Sequence, residues 1–362
     1  LYKNITKTSI LQTPMLHNTK VEALIALGQF LQQAKNQQWI QKKDVWGNEH
    51  FFEKMESTIL QARNYNPWFT KEQVLFALES WSEALQPNNI QTWLNDYELP
   101  TKNPKSIGLV LAGNIPMVGF HDVLCVWLSG HSLQAKLSSQ DKFLIPLMVD
   151  FLQSYTNEKS VTWVERLQDF NATIATGSNN SARYFEYYFG KVPHIIRKNR
   201  NSVAVLNGNE TEEDLQKLGI DIFTYFGLGC RNVNKLFVPK GFYFQAFFQA
   251  IFLFNEVIYD DKYANNYDYN KAVFLMSNEK LLDNGFITLK EDTRYASPIS
   301  SVFYEFYDSV EQIQHRLKAD QEQIQCVVSS FLPNSIAFGQ TQKPALWDYA
   351  DGMDTMQFLL NL

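Results

Sequence analysis

The chain of 362 residues is poor in cysteine: Cys125, Cys230 and Cys326 are scattered, with no CxxC pair. That count excludes a disulfide scaffold and a zinc ribbon, and it fits a reducing, cytoplasmic compartment. Basic charge is also in short supply. Thirty-two Lys and Arg against 38 Asp and Glu give a formal charge of −6, which argues against nucleic acid as a partner. No uninterrupted apolar run reaches the roughly 18 residues of a membrane span. The best stretch, Val110–Leu128, is broken by Asn114, Pro116, His121 and Asp122. The first residues show no basic flank followed by an apolar run, so no signal peptide is expected. No two histidines stand at HxxxH spacing, and no metal site is expected. Neither a GxSxG elbow nor a Walker A loop occurs, which removes the usual serine hydrolases and P-loop enzymes.

What is present builds a large core. Hydrophobic residues make up 45% of the chain and aromatics 14%, in a length that suits about two domains. Apolar positions at helical spacing fill Thr19–Ala34, Phe51–Ala62 and Lys71–Leu85, with Thr70 as a candidate N-cap. After the polar hinge Thr101–Lys105 the texture changes. Short apolar runs at Ser106–Ala112, Ser132–Leu137 and Asn171–Ala175 read as buried strands. Helical stretches at Pro116–Leu128, Asp141–Tyr155 and Asn179–Phe189 follow them in turn. That alternation is the mark of a doubly wound α/β domain. A second α/β stretch follows. Its strands are expected at Ser202–Leu206, Lys235–Val238, Ala272–Met276 and Ile299–Phe306. Its helices are expected at Thr211–Leu218, with a Thr211–Asp214 capping box, and at the aromatic Phe242–Ile258.

Four places carry candidate chemistry. Cys230 follows two glycines in Gly227-Leu-Gly-Cys230, which leave its face open, and Arg231 beside it is expected to favour the thiolate. Asn114 lies just past a buried strand, where a side-chain amide can donate to an oxyanion. Lys136 ends the second strand within reach of a ribose or phosphate. Gly177-Ser178 opens a helix whose free N–H groups can hold a diphosphate. Each has a bland reading as well: a buried thiol, a turn Asn, a solvated Lys and a simple N-cap. Cys125 and Cys326 read as core packing.

The order of these segments resembles the aldehyde dehydrogenase superfamily, and more closely the LuxC-like acyl-CoA reductase family. The resemblance runs from about Ser106 to the C-terminus. It rests on Ala112-Gly-Asn-Ile-Pro116, Ala135-Lys-Leu-Ser-Ser139, Ala175-Thr-Gly-Ser178, Gly227-Leu-Gly-Cys230 and Tyr295-Ala-Ser-Pro298. Ala337-Phe-Gly-Gln-Thr-Gln-Lys-Pro344 and Tyr349-Ala-Asp-Gly-Met-Asp354 complete it. The resemblance implies an α/β, aldehyde dehydrogenase-like fold, with a doubly wound cofactor-binding domain plus an α/β catalytic domain. The expected boundaries are 1–199 for the helical region and cofactor domain, 200–345 for the catalytic domain, and 346–362 for a tail. The apolar Met356–Leu362 in that tail is expected to add an oligomerisation strand to a neighbour.

Carried over residue by residue, the resemblance makes Cys230 the nucleophile and Asn114 its oxyanion partner. Lys136, Ser138, Ser139, Gly177, Ser178 and Ala182 become the cofactor-binding set. Two departures point away from aldehyde oxidation. The Glu-Leu-Gly-Gly segment of aldehyde oxidisers is replaced by Ile196-Arg-Lys-Asn-Arg-Asn-Ser202, which has no carboxylate to activate water. Ser139 stands where a ribose-binding Glu is common, which admits the 2′-phosphate of NADPH as well as NADH. A third departure concerns the later ribose Glu, which has no match near Thr293-Arg294. The implied activity is NAD(P)H-dependent reduction of a fatty acyl-CoA to an aldehyde, in a homo-oligomer, with an acyl-transfer protein as a further candidate partner. The aromatic 242–258 stretch is a candidate acyl-tunnel wall. Two other classes remain open at this point: a cysteine acyltransferase or thioesterase without nicotinamide, and a non-catalytic binding subunit.

Overall fold

The computed structural model describes residues 19–362. Four helices come first: α1 (Thr19–Leu31), α2 (Asn48–Tyr65), α3 (Lys71–Ala84) and α4 (Pro87–Leu94). A minimal hairpin of β1 (Ala34–Lys35) and β2 (Gln38–Trp39) separates α1 from α2. Thr70 caps α3 by accepting from the Gln73 N–H. The apolar faces of α1 and α6 (Leu144–Thr156) meet: Leu24, Leu27 and Phe30 share one core with Ile145, Phe151 and Leu152. The helical region therefore completes the first sheet's core and has no separate core of its own.

That sheet holds β3 (Ser106–Val110), β4 (Ser132–Lys136), β5 (Val161–Trp163), β6 (Ala172–Thr176) and β7 (His194–Arg197). All pairs are parallel, in the order β5-β4-β3-β6-β7. α5 (Phe120–Ser129), α6 and α7 (Asn179–Phe189) make the crossovers. The chain leaves β3 toward β4 on one side and returns to β6 on the other. The reversal of strand order therefore falls between β3 and β6, at whose carboxyl ends open α/β sheets take their ligands.

Three residues after β7 the chain crosses to a second sheet, ordered β10-β11-β12-β9-β8-β13. Its strands are β8 (Asn201–Val205), β9 (Val233–Pro239), β10 (Leu281–Asp283), β11 (Thr288–Glu291), β12 (Ser301–Tyr307) and β13 (Ile324–Val328). Only the edge pair β10–β11 is antiparallel. α8 (Glu212–Phe223), α9 (Phe244–Ala250) and α10 (Asp261–Met276) cover one face through Leu218, Phe247 and Tyr263. α11 (Val310–Ala319) covers the other through Ile313. The Thr211–Asp214 capping box opens α8 as expected.

Three segments depart from the sequence reading. Ala272–Met276 ends α10 and is not a strand, because the Asp260 cap starts a helix that runs unbroken to Met276. A short apolar run cannot by itself tell the two apart. The 242–258 stretch is α9 followed by a 3-10 segment, Ile251–Tyr259. Finally, the tail forms α12 (Thr355–Leu360) and not an oligomerisation strand. Met356 and Leu359 are buried in this chain's own core beside α5.

Candidate active site

The carboxyl edge of the first sheet gathers the residues that the resemblance gave to a cofactor. Val110 pairs with Lys136 and with Ala175, so the segments after β3, β4 and β6 emerge side by side. Gly113 is needed for this closeness: a Cβ there would stand 2.6 Å from Ser138 Cβ and Oγ. Lys136 and Ser139 are exposed, and Ser138 is half-buried. Ser178 caps α7, its Oγ accepting from the Ser181 N–H at 3.2 Å. Ala182 lies one turn further on, buried, with its N–H donated to Ser178 O. Asp141 ties the edge together from beneath, accepting from the Met117 N–H at 2.9 Å. Burial lifts its carboxyl to about 6.

The second half of the site is the loop between α8 and β9. Tyr225 and Phe226 both adopt left-handed backbone, at φ 55° and 57°, and Gly227 follows at 77°. Two consecutive non-glycine residues in that region cost on the order of 1 kcal/mol or more each, so the surroundings must hold them. Asn232, fully buried, does much of this. Its amide donates to the carbonyls of Asp221, Ile222 and Thr224, and its oxygen accepts from the Gly229 N–H at 2.8 Å. Gln73 reaches in from α3, its Oε1 accepting from the Tyr225 N–H at 2.8 Å. Ser202 Oγ donates to Cys230 O at 3.0 Å.

The two halves meet. Asn114 Nδ2 donates to Leu228 O at 2.8 Å, two residues before Cys230. Cys230 itself is exposed, while its N–H donates to no other residue among those described. Enough protein packs near the thiol that desolvation pushes it up to about 11. Cys326 and Asp351 add to the rise. The expectation that Arg231 favours the thiolate holds in direction: it pulls the thiol down, but desolvation outweighs it. The guanidinium is spent on Thr341 O, at 2.6 Å from Nε, and on Asp348, at 2.8 Å. Cys125 and Cys326 are buried.

A C-terminal strap, residues 337–362, closes the site from behind. Asp221, fully buried, accepts from the Gly339 and Thr341 N–H groups and from the Thr341 hydroxyl. Further along, His121 bonds Leu346 O, Arg200 pairs with Asp351 and Arg197 donates to Thr355. Arg197 also forms a buried ion pair with Asp122. Thus the 196–202 crossover spends its arginines on the strap and α5. A small cavity lies on the far side of the loop, lined by Phe226, Gly227, Tyr263, Pro298, Ile299 and Val302. No residue of 242–258 lines it. Phe247, Ala250 and Ile251 pack into the core instead.

Sequence reasoning did not single out Asn66, Gln73, Asp221 or Asn232. Asn232 follows Cys230 by two positions in a loop, and that proximity was the only available signal. The other three act across 47 to 152 positions, and nothing local marks them.

The carboxyl edge of the first sheet fits a dinucleotide on its own chemistry. It lies at the reversal of strand order, Lys136 offers a cation with no protein partner among the described residues, and α7 presents its N-terminus there. Among the described residues no cluster of three or more His, Cys, Asp or Glu is gathered for a metal, and no helix is long and apolar enough to cross a membrane.

No protein-family model and no curated protein sequence matches the chain. Solved structures do. An aldehyde dehydrogenase from Bacillus cereus in complex with NAD+ aligns with a TM-score of 0.57 at 11% identity, covering 88% of this chain and 73% of that one. Aldehyde dehydrogenase 21 from Physcomitrella patens, in complex with the reaction product succinate, gives 0.61 at 11% identity, covering 95% and 83%. The aldehyde dehydrogenase KauB from Pseudomonas aeruginosa gives 0.59 at 10% identity, covering 86% and 71%. Likeness at this level of identity is one of fold, and on it the chain has the aldehyde dehydrogenase fold, a doubly wound α/β unit joined to a second α/β unit.

Proposed function

We propose that the chain is an NAD(P)H-dependent reductase that takes an acyl group from acyl-CoA onto Cys230 and releases it as an aldehyde. The observation that carries this reading is the meeting of the two loops, Asn114 Nδ2 at 2.8 Å from Leu228 O. A side-chain amide has two hydrogens. One is used here; the other, with the Cys230 N–H, is available to an oxyanion on a carbonyl bound to the sulfur. Cys230 sulfur bonds to the thioester carbon, and the bond from that carbon to the CoA sulfur breaks. The proton lost by one thiol is taken up by the other, so the exchange is neutral overall. When bound, the nicotinamide would supply the hydride that reduces the thioester. Asn114 and the Cys230 N–H would hold the oxyanion, and the Cys230 sulfur would leave as thiolate and take a proton from water to return to the resting thiol.

Acyl transfer is favoured over hydrolysis by what surrounds the sulfur. The 196–202 crossover has no carboxylate. Asp351, close enough to raise the thiol, is paired with Arg200. In this reading Lys136, Ser138, Ser139, Gly177, Ser178 and Ala182 form the cofactor set, and Ser139 leaves room for the 2′-phosphate of NADPH. The remaining assignments rest on the resemblance alone: the domain division at 199 and 345, a homo-oligomer, an acyl-transfer partner and a cytoplasmic setting.

One observation favours a second reading, a non-catalytic binding subunit: a thiol raised to about 11 holds little thiolate at neutral pH. Intact-mass measurement after mixing with short- and long-chain acyl-CoA separates the two. The reductase reading expects an acyl adduct on Cys230, its loss on adding NADPH, and neither event in Cys230→Ala. A wild-type protein that stays unmodified by acyl-CoA and by iodoacetamide supports the binding subunit.

A further inference from the structure

The corner between α2 and α3 touches both loops of the site. Asn66, almost fully buried, donates from Nδ2 to Gly113 O at 3.3 Å and accepts from the Trp68 N–H at 3.1 Å. Seven residues later Gln73 Oε1 accepts from the Tyr225 N–H at 2.8 Å. Between them the Trp68 ring packs on Phe226 at 5.3 Å, and one turn past Gln73 the Phe76 ring packs edge-on against Tyr225 at 5.8 Å. Gly113 adjoins Asn114, and Tyr225 leads the loop that ends in Cys230. The Asn114–Leu228 bond closes the remaining gap.

The contacts form a ring. It runs from the corner through Asn66 to Gly113 and Asn114, across to Leu228, back along the chain to Tyr225, and through Gln73 to the corner. We infer that this corner is a two-point clamp, and that Asn66 and Gln73 are positioning residues that set where Asn114 stands relative to Cys230. The inference rests on the roles proposed above for those two residues.

Two properties of the ring support it. The corner is stiff where it grips: Thr70 Oγ1 accepts from the Gln73 N–H, which fixes the backbone that carries the gripping side chain. The gripped residues also need support. Tyr225 and Phe226 hold left-handed backbone that their side chains disfavour, and Gln73 supplies the acceptor for the first N–H of that pair. Removing the acceptor leaves a half-buried N–H unpaired and frees the pair to relax. Leu228 and Cys230 then move relative to Asn114. A hydrogen bond is geometric, so an acceptor of the same length in place of the amide should preserve the effect, and an apolar side chain of the same length should not.

The test compares Gln73→Met, which keeps length and loses the acceptor, with Gln73→Glu, which keeps both. Three measurements are made on the full chain. They are hydrogen exchange of the peptide spanning Tyr225, the pH profile of Cys230 alkylation by iodoacetamide, and steady-state turnover with acyl-CoA and NADPH. The clamp expects faster exchange at Tyr225 in Gln73→Met and a shifted alkylation profile. It also expects kcat to fall about tenfold or more with KM for NADPH nearly unchanged, the pattern of an interaction made only in the transition state. Gln73→Glu should return all three toward wild type. If Gln73→Met fails to fold, Asn66→Asp takes its place. It keeps the acceptor for Trp68 and loses the donor to Gly113, and the same shift in alkylation is expected. The inference is overturned if Gln73→Met and Asn66→Asp alkylate and exchange as wild type does, or if Gln73→Glu behaves as Gln73→Met. Should wild type show no acyl adduct and no turnover, the reductase reading fails on its own, and the exchange and alkylation results still decide the clamp.

Discussion

The two halves of the site are built in opposite ways. The proposed cofactor edge offers its polar groups to solvent: Lys136 and Ser139 are exposed, and Ser178 is occupied only with its own helix. The Cys230 loop is held from every direction, by Asn232 from within, Gln73 from the helical region, Ser202 from β8 and Arg231 through the strap. The difference matches what the proposed function asks of each. A cofactor that enters and leaves needs donors with few prior commitments. A sulfur that meets a carbonyl needs its position settled beforehand, because a misplacement of about 1 Å can cost about a hundredfold in rate.

If that contrast is real, perturbing the loop should hurt stability or turnover strongly, while perturbing the edge should act mildly or through cofactor alone. The largest effect is expected from Asn232→Ala. It strips partners from four backbone groups, some of them sealed from water, at about 1–3 kcal/mol for each one left unsatisfied. A fall in the urea midpoint worth several kcal/mol is expected, and a shift below 1 kcal/mol would show that the loop is not held from within. Next comes Asn114→Ala. Loss of one oxyanion donor typically lowers kcat by about 10²–10³, or roughly 3 kcal/mol, while cofactor binding should be untouched. Equal losses in kcat and in cofactor affinity would place Asn114 in a different role.

Asp141 tests the edge through pH. Its folded carboxyl titrates near 6 against 3.8 for a free group. The folded state therefore binds the proton more tightly than the unfolded chain. The buried charge costs stability in full above pH 6, and the cost fades as pH falls from 6 toward 4. Two units correspond to about 3 kcal/mol, so Asp141→Asn should raise stability at pH 7 and change it little at pH 4. Urea unfolding at the two values checks this, and a variant less stable at pH 7 would contradict the sign. The smallest effect belongs to Lys136→Ala. An exposed cation on a mobile stem contributes modestly; KM for the dinucleotide should rise about fivefold with kcat and the unfolding midpoint unchanged.

Much of this molecule was legible before any coordinates. The strand–helix alternation from Ser106 to Phe189 placed β3, β4 and β6 within a residue or two, because each short run is followed by a longer stretch of helical spacing and two of the three end at a glycine, Gly113 and Gly177. The Thr70 cap and the Thr211–Asp214 box were local signals and held. The failures have a common cause. Ala272–Met276 and Met356–Leu362 are apolar runs too short for their period to be read, and their helical state depends on a cap upstream or on a core to pack against. The Arg231 expectation held in direction, but adjacency in sequence said nothing about the desolvation that outweighs it.

What the sequence determined by itself is therefore the set of local units and the chemistry on offer: a thiol after two glycines, an amide after a strand, a lysine at a strand end. Tertiary structure decided which of these meet. Asn114 comes within one hydrogen bond of Cys230's loop across 114 positions, and the raised thiol arises from the bulk of protein around it. Gln73 serves a backbone N–H 152 positions away. Local propensity acts over one turn of chain, whereas desolvation and the placing of donors depend on what packs nearby in space. Hence the three cysteines could be counted from the sequence, and only the fold could show that Cys230 alone is exposed.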